Sequence, residues 1–271
     1  MAATLDQIVA ATRRRVADAK RSADVRRLER EVEQHVPRGF RRALASQTGP
    51  AIIAELKKAS PSRGLIRANF NPEGLAGELE AAGAAALSVL TDEEFFQGSL
   101  ENLQRASART KLACLQKDFV VDDFQLLQAR AHGADAVLLI VAVLSPAELL
   151  ALVRRSRELS LDVLCEAHNE EELHRALDTG GDLIGVNNRD LRTFKVDVNT
   201  ALRLAEMIPK NVVSVAESGI ESGADISRLR AAGYHAFLIG ESLMKAESPG
   251  VALRTLLAET ERESSAVSTK H

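Results

Sequence analysis

Eight short apolar runs, rich in β-branched residues, recur along the chain near residues 51–56, 85–90, 112–116, 136–141, 162–165, 183–186, 212–216 and 236–239. Between most of them lie Ala/Leu/Arg/Glu-rich stretches of helical character. Apolar strands alternating with helices argue for parallel βαβ units. Eight such units in 271 residues predict an α/β chain folded as a closed (β/α)8 TIM barrel, whose usual size is ~250 residues. The rival is an open doubly wound sheet, but that fold normally opens on a glycine-rich G-x-G-x-x-G turn, and none occurs here.

The residues just after each run point to chemistry. The first run continues into Ala54-Glu55-Leu56-Lys57-Lys58-Ala59-Ser60-Pro61-Ser62-Arg63-Gly64. Side chains alternate along a strand, so Glu55 and Lys57 point to the same side. Buried charges are costly unless paired, so such a pair at a strand end suggests a site, although a solvated surface pair is the plainer alternative. The pattern repeats with Thr91-Asp92-Glu93, Lys117-Asp118-Phe119, Glu166-Ala167-His168, Asn187-Asn188-Arg189-Asp190, Glu217-Ser218-Gly219 and Gly240-Glu241-Ser242. Only the fourth run stays apolar, in Val141-Ala142-Val143. In a barrel these positions meet at the C-terminal mouth, where such enzymes place their catalytic groups.

The last two strand ends predict a phosphate site. Ser218-Gly219 and Gly240-Glu241-Ser242 follow strands seven and eight, the usual phosphate position of this fold. Glycine there lets backbone N–H groups approach an anion.

Composition excludes other classes. A net charge of −3 with dispersed basic residues argues against a nucleic-acid partner. No apolar run approaches the ~18 residues that a membrane span needs. Cys114 and Cys165 form no metal pattern, and strand alternation turns both toward the helical layer as buried thiols. Reduced thiols suit the cytoplasm. His168 lies near the mouth but has no partner at metal-ligand spacing, and reads as loop. Phe119, Phe95 or aliphatic walls would carry an aromatic ring, although Phe95-Phe96 could equally be core or loop anchors.

Residues 1–48 have no slot in the barrel pattern; Leu5, Ile8, Val9, Thr12 and Val16 recur at helical spacing. Residues 49–262 form the barrel domain, and 263–271 read as a mobile tail.

These residues carry a resemblance. The chain resembles the indole-3-glycerol-phosphate synthases in the segment from Ala54 to Gly64, in Ser88 to Asp92 with Phe95 to Ser99, and in Lys117-Asp118-Phe119. It continues in Gly133 to Ile140, Asp162 to Glu166, Ile184 to Leu191 and Glu217 to Ile220. Order and spacing hold from about residue 50 to about 245. A proline usual ahead of the third strand is missing near Ala113, and Cys165 stands where valine is more usual.

The resemblance implies a lyase of tryptophan biosynthesis acting on 1-(2-carboxyphenylamino)-1-deoxyribulose 5-phosphate without a cofactor. It assigns Lys117 as general acid for ring closure and Glu166 as acid/base for dehydration. Lys57, partnered by Glu55, would contact the carboxylate or phosphate end and is a second candidate proton donor. Asn187 would bond a substrate hydroxyl, Arg189 would help hold the carboxylate, and Glu217 would hold ribulose hydroxyls or a lysine. Ser60 would shape the first loop. The backbone of Ser218, Gly219, Gly240, Glu241 and Ser242 would cradle phosphate. The N-terminal helix would lie over the mouth and help enclose substrate. Another phosphosugar barrel enzyme and a barrel that has lost catalysis remain as alternatives; a Schiff-base aldolase is disfavoured by Asn187 at the end of strand six. The expected partner is the small phosphosugar, and other tryptophan-pathway enzymes are candidates.

Overall fold

The computed structural model describes residues 4–268. Eight parallel strands close into a barrel: β1 (Ala51–Leu56), β2 (Ala86–Leu90), β3 (Ala113–Lys117), β4 (Ala136–Ile140), β5 (Asp162–Ala167), β6 (Leu183–Asn187), β7 (Val213–Glu217) and β8 (Ala236–Ile239). Each coincides with one of the eight apolar runs to within a few residues. Neighbours in sequence are neighbours in the sheet, and β1 closes on β8 through Ala51–Ala236 to Ala54–Ile239.

Strand alternation divides the core in two. Ile53, Leu115, Leu138, Leu164, Val215 and Leu238 fill the barrel interior. The intervening residues, such as Ile52, Leu87, Cys114, Cys165, Ile184 and Phe237, pack outward with the helices. Both cysteines are therefore buried free thiols in the helical layer, as alternation predicts. Among the described residues, no helix is long and apolar enough to cross a membrane.

The segment ahead of the barrel forms α1 (Leu5–Ser22), α2 (Val25–Val32) and α3 (Phe40–Ala45). Thr4 and Gln7 make a capping box that starts α1. Ile8, Thr12 and Val16 are its buried stripe, matching the helical spacing read from the sequence. At the mouth, Arg15 of α1 reaches Asp118 (3.3 Å) and Asp92 (3.6 Å), beyond the ends of β3 and β2. At the opposite end, Phe40 and Leu44 of α3 join the interior cluster. The extension thus touches both ends of the barrel and plugs its base. The last helix runs Pro249–Ser268, so helix continues past the expected start of the tail at residue 263, and residues 269–271 lie outside the described residues.

A buried clamp fixes the extension to the base. Asp135, at the start of β4, is fully buried. It accepts from the Arg38 backbone N–H (2.7 Å) and Nε (2.9 Å), from the Cys114 N–H (2.6 Å), and pairs with His35 (3.0 Å). Burial alone would raise its pKa, but His35 and Arg38 outweigh it and hold the carboxyl below its ordinary range. Asp135→Ala would strand the Arg38 guanidinium and the Cys114 N–H. It is expected to cost ~3–5 kcal/mol, the usual loss on breaking a buried pair. Urea unfolding measures this, and a loss under ~1 kcal/mol would mean that water or other groups replace the clamp.

Candidate active site

The inward row of each strand is apolar at the base and turns polar at the mouth. In β1 it reads Ala51, Ile53, Glu55; in β3 it reads Ala113, Leu115, Lys117. In β5 it reads Leu164 then Glu166, and in β7 Val213, Val215 then Glu217. Asn187 ends β6 and Gly240 follows β8 in the same way. These rows open on a cavity of about 700 Å³ lined by Glu55, Lys57, Lys117, Phe119, Glu166, Asn187, Arg189, Glu217, Ser218, Gly219, Gly240, Glu241 and Ser242. Of the residues given a site role from the sequence, the structure brings all but Ser60 and Phe95 to one cavity. Ser60 sits in a two-residue strand, Ala59–Ser60, paired antiparallel with Gly64–Leu65, and the nearby Arg63 lines the cavity.

Lys117 is the centre of the charge cluster. Its Nζ lies 3.0 Å from Glu166 Oε2 and 3.4 Å from Glu217 Oε2. Lys57 Nζ donates to Glu55 Oε1 at 2.7 Å. Burial would lower the pKa of Lys117, but Glu166, Glu217 and Glu55 together reverse this and hold it above the ordinary lysine range. Burial opposes ionisation of Glu166 too, yet Lys117 and His168 keep it well below the usual carboxylate range. Glu217 goes the other way: burial pushes it up to about 8 despite Lys117, and Glu166 adds to the rise. The two carboxyls around one ammonium are thus pushed in opposite directions, Glu166 down and Glu217 up. Environments that push paired titratable groups apart are how acid and base roles separate.

Several contacts shape the cluster. A Cβ on Gly185 would collide with Glu217 Oε1, and one on Gly240 with Glu55 Oε1. Glycine at these positions therefore makes room for the carboxylates. Glu217 Oε1 is buried and has no hydrogen-bond partner in the protein. Asn187 Oδ1 accepts from the Arg189 N–H at 3.0 Å, which closes the turn after β6. Ser218 (φ 65°) and Gly219 (φ 74°) are both left-handed, and a Cβ on Gly219 would meet Val196. The short helix Glu241–Lys245 starts directly after Gly240.

Other lining residues escaped the sequence reading. Arg63 Nε (3.1 Å) and Lys245 Nζ (2.6 Å) both pair with the Glu241 carboxylate. Phe96, not Phe95, faces the cavity, 6.3 Å from the Phe119 ring. His168, read as loop, does not line the cavity but contacts Glu166. Its position two residues beyond Glu166, on the same side of β5, was the available signal. Among the described residues no group of His, Cys, Asp and Glu is arranged to hold a metal ion.

Residues 5–256 match the family model described as indole-3-glycerol phosphate synthase. The chain belongs to the indole-3-glycerol phosphate synthase family. Among similar proteins, the indole-3-glycerol phosphate synthase of Koribacter versatilis is 58% identical over 259 residues, covering 95% of this chain and all of that one. The Burkholderia vietnamiensis protein of the same name is 46% identical, covering 93% and 98% of the two chains. Among solved structures, a 3-hexulose-6-phosphate synthase superposes with a TM-score of 0.62 at 16% identity, over 77% of this chain and 99% of its own. KGPDC from Streptococcus mutans gives 0.60 at 14% identity, over 79% and 99%. At such identity these two structures share the fold, whereas the family rests on the sequence relatives. The indole-3-glycerol phosphate synthase match takes in α1 to α3 as well as the barrel, because it begins at residue 5.

Proposed function

We propose that this chain closes the indole ring: it converts 1-(2-carboxyphenylamino)-1-deoxyribulose 5-phosphate to indole-3-glycerol phosphate, carbon dioxide and water, with Lys117 as proton donor. One observation carries the assignment of roles: the Lys117 ammonium lies between two carboxyls at the barrel mouth, 3.0 Å from Glu166 and 3.4 Å from Glu217.

In ring closure an aromatic carbon attacks the ketone carbon, and the ketone oxygen becomes an alkoxide. Lys117 gives that oxygen a proton, which an alkoxide accepts even from an ammonium of raised pKa. Carbon dioxide then leaves, and the ring regains aromaticity. Water leaves last, with Glu166 moving the proton. Neutral Glu217 is placed to return a proton to Lys117 at 3.4 Å, and its unpartnered Oε1 suits a ribulose hydroxyl. Asn187 serves a second hydroxyl. Lys57, held by Glu55, and Arg189 bind the anionic ends of the substrate. The turns at Ser218-Gly219 and Gly240-Glu241-Ser242 take the phosphate, a reading supported by their place after β7 and β8. Phe96 and Phe119 offer a wall for the aromatic ring. Residues 1–48 serve as an enclosing segment, a reading supported by Arg15 pairing with Asp92 and Asp118.

Indole fluorescence on adding the carboxyphenylamino ribulose phosphate tests the activity; absence of product would reject it. A pH prediction tests the roles. Because Glu217 ionises near 8 in the free enzyme, kcat/KM should fall as pH rises through that value. Each newly ionised Glu217 adds negative charge beside Lys117 and makes it a weaker acid. Glu217→Gln, neutral at every pH, should lose this basic limb. Survival of the limb in that variant would assign it to another group.

A further inference from the structure

His168 continues the inward row of β5, two residues past Glu166, and no step of ring closure requires it. Its side chain is 11% exposed. Nδ1 lies 2.8 Å from Glu172 Oε2, in the first turn of helix Glu170–Asp178, and the same oxygen accepts the His168 backbone N–H. The other ring nitrogen, Nε2, lies 3.3 Å from Glu166 Oε1. This is an ion-pair distance, off the hydrogen-bonding line, and Nε2 has no hydrogen-bond partner. A buried N–H left without a partner calls for an explanation. Closing the turn after β5 needs only the Nδ1 contact; it does not explain why Nε2 sits over the catalytic carboxylate.

Glu166 lies between two cations. Its Oε2 faces Lys117 at 3.0 Å and its Oε1 faces His168. Burial disfavours charge on the imidazole, but Glu166 and Glu172 raise His168 to about 10, so it is an imidazolium at neutral pH. The other groups facing this pair are Glu217 of β7 beside Glu166, Glu55 of β1 across Lys117, and Asp190 after β6 beside His168.

We propose that His168 is a positioning residue: anchored by Glu172, it holds Glu166 Oε1 so that Oε2 stays on Lys117, and it favours the ionised carboxylate until dehydration brings a proton there. The proposal rests on the assignment of Glu166 as acid/base made above.

The test compares kcat, KM and the pH profile of kcat for His168→Gln, Glu172→Gln, Glu166→Gln and the Glu166→Gln/His168→Gln pair. His168→Gln should lower kcat about 10- to 100-fold, the scale of a misplaced catalytic group. KM should stay within about twofold, since ground-state binding is not removed. Its acidic limb should move to higher pH, because Glu166 loses a neighbouring cation. Glu172→Gln should move the limb the same way by a smaller step, and it decides the matter if His168→Gln does not fold. In the Glu166→Gln background, His168→Gln should add nothing, as expected for residues acting as one unit. An additive loss in the double variant, or an unmoved acidic limb, would overturn the role of His168 while leaving Glu166 in place. Near-normal turnover of Glu166→Gln would instead overturn the assignment beneath it and the proposal with it.

Discussion

Lys117→Ala is expected to slow ring closure by ~10²–10⁴, the usual cost of removing a general acid. Substrate should still bind, because the groups assigned to its anionic ends, Lys57, Arg189 and the two glycine turns, lie elsewhere on the cavity wall. The loss has a second source. Without the ammonium, Glu166 and Glu217 are left as two buried carboxyls with no cation between them. Like charges in a shared site cannot both ionise easily. Glu166 should therefore take up a proton at higher pH than in the parent, and the variant should lose activity at the acid/base step as well. Single-turnover mixing separates the two effects, since ring closure precedes dehydration. Turnover within about tenfold of the parent would be too small a loss for a general acid.

Glu166→Gln is expected to be nearly as damaging, by ~10²–10³, with the block after decarboxylation. Glutamine keeps the shape of the side chain and can still accept one hydrogen bond, but it cannot take or return a proton. The hydrated, decarboxylated intermediate should accumulate and be seen by rapid quench. If no such species builds up while turnover falls, Glu166 belongs to ring closure instead.

The barrel and most of the site were legible because one period governs both. A two-residue alternation that places Leu115 in the core also places Lys117 over it, and the same holds for Leu164 with Glu166 and Val215 with Glu217. Reading each strand to its polar end therefore found the charged cluster at the mouth. The residues that escaped depend on contacts that no local period encodes. Arg15 meets Asp118 across 103 positions of sequence, and Phe40 and Leu44 of α3 fill the base of a barrel whose strands begin later. Ser60 lies in a hairpin too short to leave a strand pattern. The one-turn helix Glu93–Phe96 decides that Phe96 and not Phe95 meets the cavity. His168 was discounted for want of a metal-ligand partner, whereas its partners are carboxylates, one of them a turn into the next helix. Gly240 has a further reason that its strand does not show: the atom nearest to its missing Cβ belongs to Glu55.

The central claim is that Lys117, not Lys57, donates the proton in ring closure. The two lysines are both half-buried and both paired with a carboxylate, so the distinction rests on Lys117 sitting between two carboxyls, Glu166 and Glu217, where Lys57 meets Glu55. Steady-state and single-turnover rates of Lys117→Ala and Lys57→Ala, measured side by side by indole fluorescence, test it directly. Lys117→Ala should lose mainly kcat with KM little changed, and Lys57→Ala should show its main effect in KM. The reverse pattern, with kcat surviving in Lys117→Ala and collapsing in Lys57→Ala at unchanged KM, would contradict the assignment.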